Sequence, residues 1–165
     1  MATAEMTVET DEPKTVDSEQ YLTFTLDSEE YGIEILQVQE IRGFSQIRPI
    51  PHAPHYVRGV LNLRGTVVPI VDLRLRFGMK EVEYNQFTVI IVVNIGNKVV
   101  GLVVDAVSDV LNIAREHIED VPDMGNVDTS FLQGMGKKAD RLVLLLKIEN
   151  LVKIEHVKLD NIESL

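Results

Sequence analysis

The chain has no cysteine and no tryptophan. Without cysteine there is neither a disulfide nor a thiolate metal site. No apolar run approaches the ~18 residues that a membrane-spanning helix needs. The N-terminus lacks a basic segment followed by an apolar one, so no secretory signal is read there, and a cytoplasmic location is expected. Positive charge is also scarce. Sixteen Lys and Arg face 26 Asp and Glu, a formal net charge of -10. Binding to a nucleic-acid backbone needs a basic footprint, so that class is disfavoured.

Catalytic signatures are thin as well. Neither G-x-G-x-x-G nor G-x-x-x-x-G-K occurs, and no G-x-S-x-G surrounds Ser108. His52 and His55 form an H-x-x-H, but Pro49, Pro51 and Pro54 disfavour the helix that would bring both to one face. Solvated loop histidines are the expectation, with no metal and no cofactor. His117 and His156 are remote in sequence, and the reading is a binding module, not an enzyme.

What the chain does have is 45% hydrophobic residues, enough for a core in 165 residues. Charge is unevenly spread. Glu5, Glu9, Asp11, Glu12, Asp17 and Glu19 face only Lys14, so about half the negative excess lies in the first nineteen residues. Residues 1–18 are polar and aperiodic, and are expected to be a disordered tail. From Tyr21 onward, strand-length runs rich in Val, Ile and Leu recur between turn residues. Gly96-Asn97 sits between two such runs, a two-residue hairpin signal. "DLRLRFG" reads as a short helix with Asp72 at its start and Gly78 past its end. "IENLVKI" (148–154) reads as another.

The chain also repeats itself. At an offset of 69, residues 21–41 align with 90–110 without a gap, placing Gly32 on Gly101, Val38 on Val107 and Glu40 on Asp109. At an offset of 75, "YVRG" (56–59) meets "FLQG" (131–134), and "VVPIVDL" (67–73) meets "LVLLLKI" (142–148). The change of offset places an insertion near "PDMGNVDTS". Each copy of about five short strands is too small for a sandwich and closes most readily as a barrel, since closure removes exposed edges. The expected fold is all-β: two small five-stranded barrels packed on a shared core, with a groove between them. The expected bounds are 19–85 for the first barrel, 86–155 for the second and 156–165 for a C-terminal tail. Gly59 and Gly134, matched by the repeat, are expected at barrel turns. Pro69 cannot donate to a ladder and is expected at an edge or bulge.

Three motifs say more than composition does. "YGIEILQVQEIRG" (31–43), "RGVLNLRGTVVPIVDLRLRFG" (58–78) and "VVGLVVDAVSDVL" (99–111) closely resemble the CheW family of chemotaxis coupling proteins, in the family's order and spacing. The resemblance covers about Gln20 to Leu151. It implies SH3-like barrels and a non-enzymatic adaptor that joins the cytoplasmic tip of methyl-accepting chemoreceptors to the regulatory domain of the histidine kinase CheA. It also implies ring or array assembly, and a location at the inner face of the membrane through the receptors. A scaffold of another receptor–kinase pathway is the alternative. The chain carries no phosphotransfer, ATP-binding or receiver segment, so a stand-alone coupler is expected.

A helical receptor tip would lie in an apolar groove. The candidate groove residues are Ile35, Val38 and Ile41 from the first copy, with Val89, Gly101 and Val104 from the second. Arg64 interrupts the apolar stretch "RGVLNLRGTVVPIVDL". Asn62 to Gly65 is therefore expected to be a turn, with Gly65 supplying positive φ and Arg64 leaving the interior. Arg64 then needs an acceptor, and Glu40, an acid that interrupts another apolar pattern in the same copy, is the candidate. Gly59 completes the set of expected partner-binding residues.

Overall fold

A computed structural model describes residues 18–45, 47–122 and 129–153. The first half forms β1 (Ser18–Leu26), β2 (Glu29–Glu34), a 3-10 turn (Ile35–Gln37), β3 (Val38–Gly43), β4 (Val57–Leu63), β5 (Thr66–Asp72) and α1 (Leu73–Arg76). The second half forms β6 (Val89–Ile95), β7 (Lys98–Val104), β8 (Ala106–Ala114), a 3-10 turn (Arg115–His117), β9 (Ile118–Glu119), β10 (Leu132–Lys138), β11 (Arg141–Leu146) and α2 (Ile148–Lys153). The duplication is explicit in these bounds. An offset of 75 lays β4 residue for residue on β10, and an offset of 69 lays β2 on β7.

The local signals act as their chemistry requires. Asp72 caps α1 by accepting from the Leu75 N–H, and Gly78 follows the helix with φ 78°. Gly96, with φ 63°, turns β6 into β7, and Ile95 faces Lys98. β6 is buried on both faces from Ile90 to Val93.

The sheets are not the two halves of the chain. One has the order β3-β6-β7-β5-β4, the other β8-β1-β2-β11-β10-β9. Each copy contributes its last three principal strands to one sheet and lends its first hairpin to the other. The expected division at 85/86 therefore does not coincide with the sheets, because every sheet takes strands from both segments. The physical reason is that β6 and β7 are apolar on both faces, and the centres of β1 and β2 are buried on both, so none carries a local mark of which neighbour it pairs with. Ser18, expected in the tail, opens β1 and is buried opposite Ala114. The rest of that tail and the C-terminal tail lie outside the described residues, as does most of the expected insertion.

Each sheet closes on itself. Arg48, in the segment after β3, bridges Val60 of β4. Its counterpart β9, after β8, pairs with β10 through Glu119 and Met135. The largest apolar cluster lies between the sheets. It draws Leu22, Phe24 and Ile33 from the lent hairpin of one copy, Ile91, Leu102 and Val104 from that of the other, and Leu73 and Leu151 from the two helices. Smaller clusters fill the barrels, Leu63, Val68, Ile70, Ile90, Val92 and Val103 in one and Tyr21, Ile113, Val143 and Leu145 in the other. The expected shared core is thus the principal one.

Gly59 and Gly134 are not at turns. Both sit inside strands, at register shifts opposite β5 and β11. A Cβ on Gly59 would lie 2.1 Å from the Arg48 carbonyl oxygen, and one on Gly134 would lie 3.0 Å from that of Glu119. They are bulge glycines that let the closing segment approach. Pro69 lies in the part of β5 that pairs with β4 alone, since the parallel ladder to β7 begins at Ile70. It is a local edge in an internal strand.

Gly59, at φ +144° against backbone, and Gly65, at φ +90° with open space around it, separate sterics from strain. Gly65→Ala should cost about 1 kcal/mol, and Gly59→Ala more than about 3 kcal/mol. Urea denaturation of the two variants checks the order; equal losses would contradict the closing role of the bulge.

Candidate functional site

β3 lies at one end of its sheet, paired with β6. A register shift between Val38 and Glu40 gives its two faces different work. Val38 stands opposite Val93 and Ile41 opposite Ile91, so both face the layer between the barrels. Neither is fully covered, and Ile35 before them and Val89 on β6 are likewise half-buried against that layer. Leu36, in the connecting turn, is 85% exposed. Together these five form an apolar strip along one side of the barrel junction.

Gly101 and Val104 do not belong to that strip. Both are buried. A Cβ on Gly101 would stand 2.6 Å from Ile70 Cδ1 and 2.9 Å from Ile90 Cγ2, inside the barrel. Val104 is in the core between the sheets, opposite Val89. Both were expected in the groove because a residue buried behind a wall has the same apolar period as one in it. Gly59 is likewise buried in β4. Of the three, only Val104 backs the strip, through Val89.

Glu40 and Arg42 point the other way, opposite Val92 and Ile90 of the barrel interior. There they meet the β4–β5 hairpin. Arg64 and Gly65 have φ of 52° and 90°, the two positive values that a type I′ turn requires. Asn62 Oδ1 accepts from the Gly65 N–H at 2.9 Å and secures the turn. Arg64 is thereby thrown outward, 68% exposed, and its Nη2 donates to Glu40 Oε1 at 2.6 Å. Arg42 Nη1 donates to the other oxygen at 3.2 Å. The expected ion pair is present and joins the two ends of the sheet, β3 and the β4–β5 turn, across the barrel mouth. The Arg64 hydrogen bond, more than that of Arg42, holds the Glu40 carboxyl below its usual pKa.

The second barrel repeats the device with different residues. Asp109, the counterpart of Glu40, accepts from Arg141 at 3.0 Å and from the Thr23 hydroxyl at 2.7 Å. Arg141 Nε also donates to Glu30 at 3.0 Å. The Arg141 hydrogen bond, followed by that of Thr23, depresses the Asp109 pKa.

Sequence reasoning missed Leu36, Arg42 and two exposed apolar residues, Val67 and Leu142. The signal for the last pair was available, because the offset of 75 maps one onto the other. Burial was what could not be read. His52 and His55 lie exposed in the irregular segment between β3 and β4, with His55 edge-on to Tyr56. Among the described residues, no group of three or more His, Asp or Glu is placed to hold a metal ion. No helix among them is long and apolar enough to cross a membrane.

Two closed sheets interleaved by hairpin exchange define a double SH3-like barrel protein. The chain belongs to the CheW-like family: the family's domain model matches residues 20–156. A chemotaxis protein CheW of Klebsiella aerogenes is 47% identical over 146 residues, covering 87% of this chain and 88% of that protein. A CheW of Bacillus subtilis is 33% identical, covering 78% and 83%. The crystal structure of the scaffolding protein TtCheW from Thermoanaerobacter tengcongensis superposes with a TM-score of 0.77 at 34% identity, over 82% of this chain and 92% of that one.

Depressed carboxyl values mean that the Glu40 and Asp109 pairs stabilise the fold above their ordinary values of 4.5 and 3.8. That contribution is lost as the pH falls through the depressed values. Glu40→Gln should therefore lower the unfolding free energy from urea denaturation slightly at pH 7, by ~0–1 kcal/mol for a pair this exposed. The difference from wild type should shrink on acidification; a difference that grows would contradict the pairing.

Proposed function

We propose that this chain is a non-enzymatic adaptor of bacterial chemotaxis, coupling methyl-accepting chemoreceptors to the histidine kinase CheA from the cytoplasmic face of the membrane. The observation that carries the reading is the half-buried strip Ile35–Val38–Ile41–Val89, with Leu36 beside it, set next to an ion-paired barrel mouth in a chain of the CheW-like family. A helical receptor tip presents apolar residues at i, i+3 and i+4, and a strip of this kind is its complement. Glu40 and Arg64 give the mouth its shape, and the exposed Arg64 guanidinium stands where a partner would meet it.

The kinase contacts fall elsewhere. Val67 on β5 and Leu142 on β11 are exposed at duplicated positions, one on each barrel. A kinase domain of the same double-barrel build meets either by pseudo-equivalent pairing, and use of both would extend the assembly into a ring. Holding receptor and kinase together raises their effective concentration and links the kinase's activity to the receptor's state. The same surface would serve a scaffold of another receptor–kinase pathway, and the receptor tip that binds distinguishes the two.

Pull-down with a receptor cytoplasmic tip and with CheA tests the reading. Wild type should retain both. Val38→Asp places a charge on the strip and should weaken receptor binding at least about tenfold, a loss of ~1.4 kcal/mol, while CheA is retained and the melting temperature falls little. A variant that unfolds would make Val38 core. Arg64→Ala and Glu40→Ala should fold and bind poorly in the ternary complex; normal assembly by both would remove the mouth from the interface.

A further inference from the structure

The barrels are joined covalently at two crossovers. β2 of the six-stranded sheet passes into β3 of the five-stranded one through Ile35–Gln37. β7 passes back into β8 through Asp105 alone. The offset of 69 makes the two equivalent, with Leu36 matching Asp105, yet they are built very differently.

At Asp105 a single guanidinium gathers the molecule. Arg74 of α1 donates from Nε to Asp105 Oδ1 at 2.8 Å and from Nη2 to Oδ2 at 2.9 Å, a two-pronged fork. Arg74 Nη1 donates to the Lys80 carbonyl in the segment joining the two halves at 3.2 Å. The Asp27 N–H in the β1–β2 turn donates to Asp105 Oδ2 at 2.9 Å, and the Asp105 N–H donates to the Thr25 carbonyl. The Arg74 side chain is 12% exposed and that of Asp105 28%. One cluster thus ties a turn of one barrel, the helix of the other, the crossover strand and the linker. At the opposite crossover the corresponding tie to α2 is a 3.3 Å bond from Gln37 Nε2 to Glu149 on the surface. The residue matching Asp105 there is the exposed Leu36.

We propose that the Arg74–Asp105 fork is a pivot lock, a positioning element that holds the two barrels at one relative orientation and leaves the Ile35–Gln37 crossover as the compliant side. The apolar strip lies on that compliant side. A ligand laid there acts on the soft joint while the stiff joint stays fixed. The use of this lock in signalling rests on the adaptor reading; the lock itself does not.

The absence of native cysteine makes the test clean. Val67→Cys and Leu142→Cys place one spin label on each sheet of the full chain. The distance distribution in the free protein should be narrow for the otherwise wild-type chain. Adding Asp105→Asn should roughly double its width or move its centre, as a released hinge does. Arg74→Lys keeps the charge without the fork and should give an intermediate width, and Gln37→Ala should leave it unchanged. A folded Asp105→Asn chain with the wild-type distribution overturns the proposal; if that variant does not fold, Arg74→Lys decides by the same criterion. In unlabelled protein, the loosened variants should bind receptor tip and kinase singly as wild type does, yet activate the kinase several-fold less. Full activation by a demonstrably loosened variant overturns the signalling role. Failure of the wild-type chain to bind either partner overturns the adaptor reading and leaves the distance result standing.

Discussion

Neither barrel is large enough to hold itself together, and the rest of the molecule follows from that. Among the described residues, the barrel interiors contain buried clusters of six and four apolar residues, whereas the layer between the sheets contains sixteen. Small units bury too little surface to offset their conformational entropy. The exchange of hairpins answers this. β1, β2, β6 and β7 each present one face to a barrel interior and the other to the common layer, so both sheets fold around one core. The apolar strip is where that layer reaches the surface, along the end strand β3.

Charges then define what the core leaves open. Each barrel mouth is spanned by a carboxylate on β3 or β8 and an arginine on the β4–β5 or β10–β11 hairpin: Glu40 with Arg64 in one, Asp109 with Arg141 in the other. These exposed pairs add little stability. Their effect is geometric, since each links strands far apart in sheet order. Fork and strip then divide the junction into a fixed side and a yielding side.

Much of this was legible in the sequence, for reasons that can be stated. The duplication was readable because glycines and acids in register constrain an alignment more than apolar residues do. Arg64 and Glu40 could be paired because a charge in an apolar run must leave the interior and find an acceptor. The hairpin at Gly96 and the cap at Asp72 are local devices with local signatures. The exchange of hairpins was not readable, because strand partners are set by non-local packing and a strand apolar on both faces fits either sheet. For the same reason Gly101 and Val104 were placed in a groove to which neither belongs. Gly59 and Gly134 carried a true signal, intolerance of Cβ, but the cause was an approaching backbone and not a turn. The Arg74–Asp105 fork was hidden because its meaning depends on which strand crosses between sheets.

Under the proposed function, one double barrel holds a receptor and a kinase at the same time and makes the kinase answer to the receptor. Autophosphorylation of CheA, measured with membranes carrying a methyl-accepting receptor and with or without this chain, tests it directly. Receptor alone should leave the kinase near its basal rate, adding the chain should raise the rate many-fold, and an attractant should then suppress it. A rate that stays basal, or one that rises with the chain but ignores the attractant, would contradict it.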